Sequence, residues 1–118
     1  MIWQLVLIYY NLYKYKQNPT SKIMLIKIYG INALKLHWKP ATCLEGISHY
    51  RIYKDNVLIK NTIGNDVNAI VTGITINIEY SFYVVGVTNQ DRITKKSNVV
   101  KVMLKQDNGL NYYLTTDI

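Results

Sequence analysis

A single cysteine, Cys43, stands among 118 residues, so no intrachain disulfide can close this chain. The core has to hold by packing alone, which fits folding inside a cell and leaves later display outside one open. A lone cysteine of this kind reads as a small buried hydrophobe rather than a nucleophile. With two prolines and six glycines there is no Pro-rich or Gly-rich linker. Acidic residues number only seven. Glu45, Asp55, Asp66, Glu79 and Asp91 stand singly, at turns and strand ends. Paired carboxylates, a Gly-rich phosphate loop and a Gly-x-Ser-x-Gly elbow are all missing, so no enzyme activity and no cofactor are expected. His37 and His49 lie six residues either side of Cys43. Zinc sites want closer pairs, and strand alternation turns His37 outward, so no metal is expected.

What is present describes one globular domain: 49% apolar residues and 18% charged ones. The formal charge is +7, and twelve of the fourteen basic residues are lysine, Arg51 and Arg92 being the exceptions. Sixteen Ile, twelve Asn and eleven Tyr accompany them, all residue types with AT-rich codons. The lysine excess therefore reads as composition first, and the basic pI as a matter of solubility. Lys35 and His37 are expected on the outer side of one sheet, Arg51 and Lys101 on the other, and Arg92, Lys95 and Lys96 at one loop tip. Scattered charge without interleaved aromatics makes nucleic acid an unlikely partner.

The first segment, Met1 to Tyr13, is almost continuously apolar. It is shorter than the ~20 residues a membrane-spanning helix needs, so no span is expected. Lys14 and Lys16 follow the run instead of preceding it, unlike a secretory signal. Three readings stay open: an extra element packed on the domain, an anchor into a partner or a membrane surface, or translation upstream of a start at Met24. Residues 1–21 are thus taken as an apolar arm and loop.

From there the period changes to two, the signature of strands. Ile26 and Ile28 alternate with Lys27. Leu34, Leu36 and Trp38 alternate with Lys35, His37 and Lys39, and Pro40 stops the run. Tyr50 and Ile52 mark a third strand over 47–54, Asp55-Asn56 a two-residue turn, and 57–63 a short edge strand. Ala69 and Val71 form a fifth. Tyr80, Phe82 and Val84 share one face of a sixth over 80–88, six residues after Ile74. That spacing matches a tyrosine corner, in which the tyrosine hydroxyl bonds back to the preceding loop. A polar loop over 89–96 leads to Val100, Val102 and Leu104 in the seventh strand, and 105–118 reads as a polar tail with an apolar patch at Tyr112-Tyr113-Leu114. Seven short strands with no helical period predict an antiparallel sandwich, with strands one, two and five facing the other four.

The ordered set Leu34-Lys-Leu-His-Trp38-Lys-Pro40, Ile47 to Lys54, Gly73-Ile74 through Tyr80-Ser-Phe82-Tyr-Val84-Val-Gly86, and Ser97-Asn98 resembles a fibronectin type III domain over residues 22–104. Ile76 and Ile78 depart from that pattern, replacing a proline and a threonine usual in the loop before the corner tyrosine. The resemblance implies an all-β, immunoglobulin-like sandwich with Trp38, Tyr50, Ile52, Ile74, Tyr80, Phe82 and Val84 as its structural signature. It implies a binding or spacer module and no activity. The Arg-Gly-Asp tripeptide and the Trp-Ser-x-Trp-Ser signature of some members are absent.

The expectation is a non-catalytic protein-interaction or structural module, an adhesive or accessory component of a larger assembly. A virion or cell-surface setting is favoured over a free cytoplasmic one. Candidate partner contacts are Asn89, Gln90, Asp91, Arg92, Ile93, Lys95 and Lys96, the neighbouring loop 42–46, and Trp3 and Leu7 of the arm, through which the chain could self-associate. Other protein subunits are the expected partners. The alternative is a carbohydrate- or polymer-binding accessory domain, which needs Tyr53, Tyr83, Tyr112 and Tyr113 to form one flat platform.

Overall fold

The computed structural model describes residues 21–118, so Trp3, Leu7 and the rest of the expected arm lie outside the described residues. The described chain is all-β. Its strands are β1 (Lys22–Ile28), β2 (Leu34–Lys39), β3 (Ile47–Lys54), β4 (Val57–Asn61), β5 (Asn68–Val71), β6 (Glu79–Thr88), β7 (Val100–Gln106) and β8 (Tyr112–Thr116). They form a three-stranded sheet in the order β1-β2-β5 and a five-stranded sheet in the order β4-β3-β6-β7-β8, with every pairing antiparallel.

Alternation drives this arrangement. Leu34, Leu36 and Trp38 of β2 are buried, and so are Tyr50 and Ile52 of β3, Phe82 and Val84 of β6, and Val100, Val102 and Leu104 of β7. The two inner faces meet in one core that also takes in Ile23, Ile26, Ala69, Val71, Ile74 and Tyr80. Each large side chain buried there contributes about 2–3 kcal/mol. A bulge between Ile23 and Leu25 of β1 inserts one residue, so Ile23 and Ile26 reach the same core although three positions apart. The Trp38 and Tyr50 rings pack edge to face at 5.5 Å. The Ala41 amide donates to the Tyr50 hydroxyl at 3.1 Å. Burial pushes that phenol's pKa up, against the opposing hydrogen bond of the Ala41 amide.

The corner forms as the spacing predicts: the Thr75 amide donates to the Tyr80 hydroxyl at 2.9 Å. Asp55 and Asn56 both take positive φ in the β3–β4 turn. The Asp55 carboxylate then accepts from the Ser81 amide at 2.9 Å, tying that turn to β6. Asn98 links the two sheets, its side-chain oxygen accepting from the Ile23 amide at 2.8 Å.

The tail is where the structure adds to the sequence reading. Residues 112–116 are an eighth strand paired with β7 from Val102 to Gln106, and Leu114 packs against the core. The turn between them is built by Asp107, whose Oδ1 accepts from the Gly109 amide at 2.8 Å and the Asn111 amide at 2.9 Å. Those bonds, that of Asn111 first, hold the Asp107 carboxyl below its ordinary value.

Candidate functional site

Two loops named from sequence meet at one end of the sandwich. The Asn89 amide donates to the Gly46 carbonyl at 3.1 Å, and its side-chain amide to the Glu45 carbonyl at 2.8 Å. Gly46 has φ +75°, and a Cβ there would stand 2.8 Å from the Asn89 side chain. Glycine is therefore required both for the backbone and for the approach of Asn89. Arg92 lies 3.9 Å from the Glu45 carboxylate, whose side chain is only 11% exposed. The other Glu45 carboxylate oxygen is buried with no hydrogen-bond partner among the described residues. Cys43 is partly buried rather than a core residue, its Sγ 3.6 Å from the Gly46 carbonyl oxygen.

The loop 89–96 is a tight turn followed by a stretch fastened to β6. The Thr88 hydroxyl accepts from the Arg92 amide at 3.1 Å, and the Thr88 amide donates to the Arg92 carbonyl at 2.8 Å. Ile93 then bridges to Val87. Beyond it, the Gly86 amide donates to the Thr94 hydroxyl at 2.8 Å and the Val84 amide to the Ser97 hydroxyl at 2.9 Å. Two side-chain oxygens thus stand where a neighbouring strand would offer carbonyls. Thr94 and Ser97 are buried, while Asn89, Gln90, Asp91, Arg92, Ile93, Lys95 and Lys96 all remain exposed. Gly86 leaves room for this fastening, since a Cβ there would meet Thr94 at 3.1 Å and Ile47 at 3.2 Å.

Exposed apolar side chains complete this end: Leu44 at 73%, Ile93 at 51%, and Ile63 of the β4–β5 loop at 89%. In sequence Leu44 is one residue of loop 42–46, and Ile63, expected within the edge strand over 57–63, lies beyond the end of β4 at Asn61. Neither carries a signal until topology brings three loops to one end. Lys96 stacks its ammonium 5.1 Å from the Tyr83 ring, and Tyr83 in turn stacks on Tyr53 at 4.7 Å.

The four tyrosines of the alternative reading do not make one platform. Tyr53 and Tyr83 lie together on the outer face of the five-stranded sheet, near the start of β7. Tyr112 and Tyr113 pair with Gln106 and Lys105 at its other end, and adjacent residues of a strand point to opposite faces. Among the described residues no group of three His, Cys, Asp or Glu could hold a metal ion. His37 bonds to Asn68 at 2.9 Å and His49 to Ser48 at 3.1 Å.

The expected scatter of charge needs correcting. Lys22 and Lys27 of β1 join Lys35, His37 and Lys39 of β2 on the outer face of the three-stranded sheet, because the bulge in β1 keeps both lysines in cross-strand register with those of β2.

No family model matches the sequence, and no curated protein does. Solved structures do match. The central fibronectin-III array of RIM-binding protein superposes with a TM-score of 0.57 at 20% identity, covering 66% of this chain and 32% of that one. The twitchin kinase region from C. elegans gives 0.57 at 14% identity, over 80% of this chain and 20% of its own. The Clostridium perfringens spore cortex lytic enzyme SleM gives 0.57 at 6% identity, over 85% of this chain and 28% of the enzyme. The chain therefore spans about a third or less of each. At these identities the likeness establishes the fold alone, and the fold is fibronectin type III-like.

Proposed function

We propose that this fibronectin type III-like sandwich is a non-catalytic protein-interaction module, an adhesive or accessory component of a larger assembly such as a virion or a cell surface. Its contact surface is the end formed by loops 42–46 and 89–96. The observation that carries this reading is the fastening of that end. Asn89, Thr94 and Ser97 hold the turn to its neighbours, so exposed Leu44 and Ile93 sit on backbone already ordered before any partner arrives. Pre-ordered loops lose little conformational entropy on binding, and exposed apolar residues at an end that also carries Arg92 and Glu45 are the make-up of a contact centre with a polar rim.

Leu44→Asp and Ile93→Asp test this by chemical cross-linking of the full chain expressed in its own source. The expected result is one defined protein adduct with the unchanged chain and its loss in both variants, at an unchanged thermal midpoint. An adduct that survives both substitutions contradicts the reading.

A further inference from the structure

We infer that the outer face of the three-stranded sheet is a docking surface for an anionic phospholipid bilayer. It lies on a different side of the molecule from the loop end. Lys27 stands directly opposite Lys35, and Lys22 opposite Lys39, in the β1–β2 ladder. Like charges opposite one another destabilise a sheet, so two such pairs are a cost the fold accepts. No Asp or Glu occurs in β1, β2 or β5 to offset them. The nearest acid in sequence to β5 is Asp66, in the loop two residues before it.

Beside the Lys27–Lys35 pair lies a groove of about 240 Å³ lined by Leu25, Lys27, Lys35, His37 and Asn68. It offers two ammonium groups beside the Asn68 side-chain amide, whose oxygen is held by His37, a donor set suited to phosphate oxygens. Lys35 and Lys39 are four residues apart on one strand, or ~13 Å, so the cations spread over a surface instead of converging on one point.

The chemistry of the face favours a bilayer over a nucleic acid. No Trp, Tyr or Phe side chain lies on the outer side of β1, β2 or β5, since Trp38 points into the core, so bases have no large ring to stack on. Instead Leu25, opposite His37, is 43% exposed and Met24 at the bulge is exposed as well. Lysines around exposed aliphatic groups suit the headgroup boundary of a membrane. In sequence, the apolar run Ile2 to Tyr13 joins β1 through Lys14 and Lys16. One chain thus carries both an apolar and a polybasic membrane signal, and stable attachment takes two. With this face on the bilayer, the end formed by loops 42–46 and 89–96 stays clear for a protein partner.

The test is co-sedimentation of the full chain with vesicles of phosphatidylcholine alone and of phosphatidylcholine mixed with phosphatidylglycerol. Two double variants are compared, Lys27→Gln/Lys35→Gln on this face and Lys101→Gln/Lys105→Gln on the other sheet. Each lowers the formal charge from +7 by two, to +5. Binding is expected on the mixed vesicles and not on the neutral ones, and salt should weaken it. The first variant should lose roughly fivefold in partition per lysine removed, following ~1 kcal/mol per basic residue near an anionic leaflet. The second should bind like the unchanged chain, and Lys27→Arg/Lys35→Arg should retain binding. Equal binding to both vesicle types, equal losses in both variants, or binding to heparin or duplex DNA without binding to vesicles would each overturn the inference.

Discussion

Tyr80 accepts a single hydrogen bond on its hydroxyl, and that bond fixes the loop that crosses from one sheet to the other. Its ring belongs to the core and its hydroxyl takes the Thr75 amide, so the loop before β6 is pinned to the strand it feeds. Tyr80→Phe keeps the ring and leaves that amide without its acceptor. Stability should fall by ~1 kcal/mol or more, read as a lower urea midpoint at unchanged slope. Thr94 makes a comparable contribution at the loop end. Thr94→Val is nearly isosteric but strands the buried Gly86 amide, at a cost of about 1–3 kcal/mol, and the same denaturation curve reads it. The first of these residues was legible in the sequence and the second was not. Tyr80 announces itself by its interval from Ile74 and its period-two partners Phe82 and Val84. Thr94 looks like any loop threonine, because its role depends on which backbone it lies beside.

The elements divide the same way. β2, β3, β7 and the first half of β6 were readable because each buries one face, and a slip of one residue would expose all of Leu34, Leu36 and Trp38 together. β8 lacks that signature. Only Leu114 packs against the core, so alternation is too weak to mark a strand, and the pairing follows from the turn before it. Asp107 is the determinant, within an Asp-Asn-Gly-Leu-Asn stretch that carries turn chemistry the apolar pattern does not reveal. Its carboxyl titrates below the ordinary value when folded, so its contribution is present above the unfolded pKa and lost as pH falls through the folded one. Amide exchange of β8 should therefore speed up relative to β6 as pH drops below about 3.8, the unperturbed value, after correction for intrinsic rates. In Asp107→Asn that extra acid sensitivity should vanish. Equal sensitivity in both proteins would remove Asp107 from its role.

Over the whole molecule, the sandwich collects features that lie far apart in the chain. Strand crossing brings loops 42–46 and 89–96 together, and β1 beside β2 turns separate lysines into one basic face. The sequence showed which residues were basic and which loops were polar. It could not show that Lys22 opposes Lys39, because that pairing depends on a bulge at Met24. Nor could it show Leu44 and Ile93 at one end, which is a property of topology alone. It is at this end that we propose the module meets a protein. A photo-reactive residue placed at Ile93, in the full chain expressed in its own source, measures that directly. One defined protein adduct is predicted from position 93, with none from the same group at Glu79, which lies at the far end of β6. Equal capture from both positions, or capture at Glu79 alone, would contradict it.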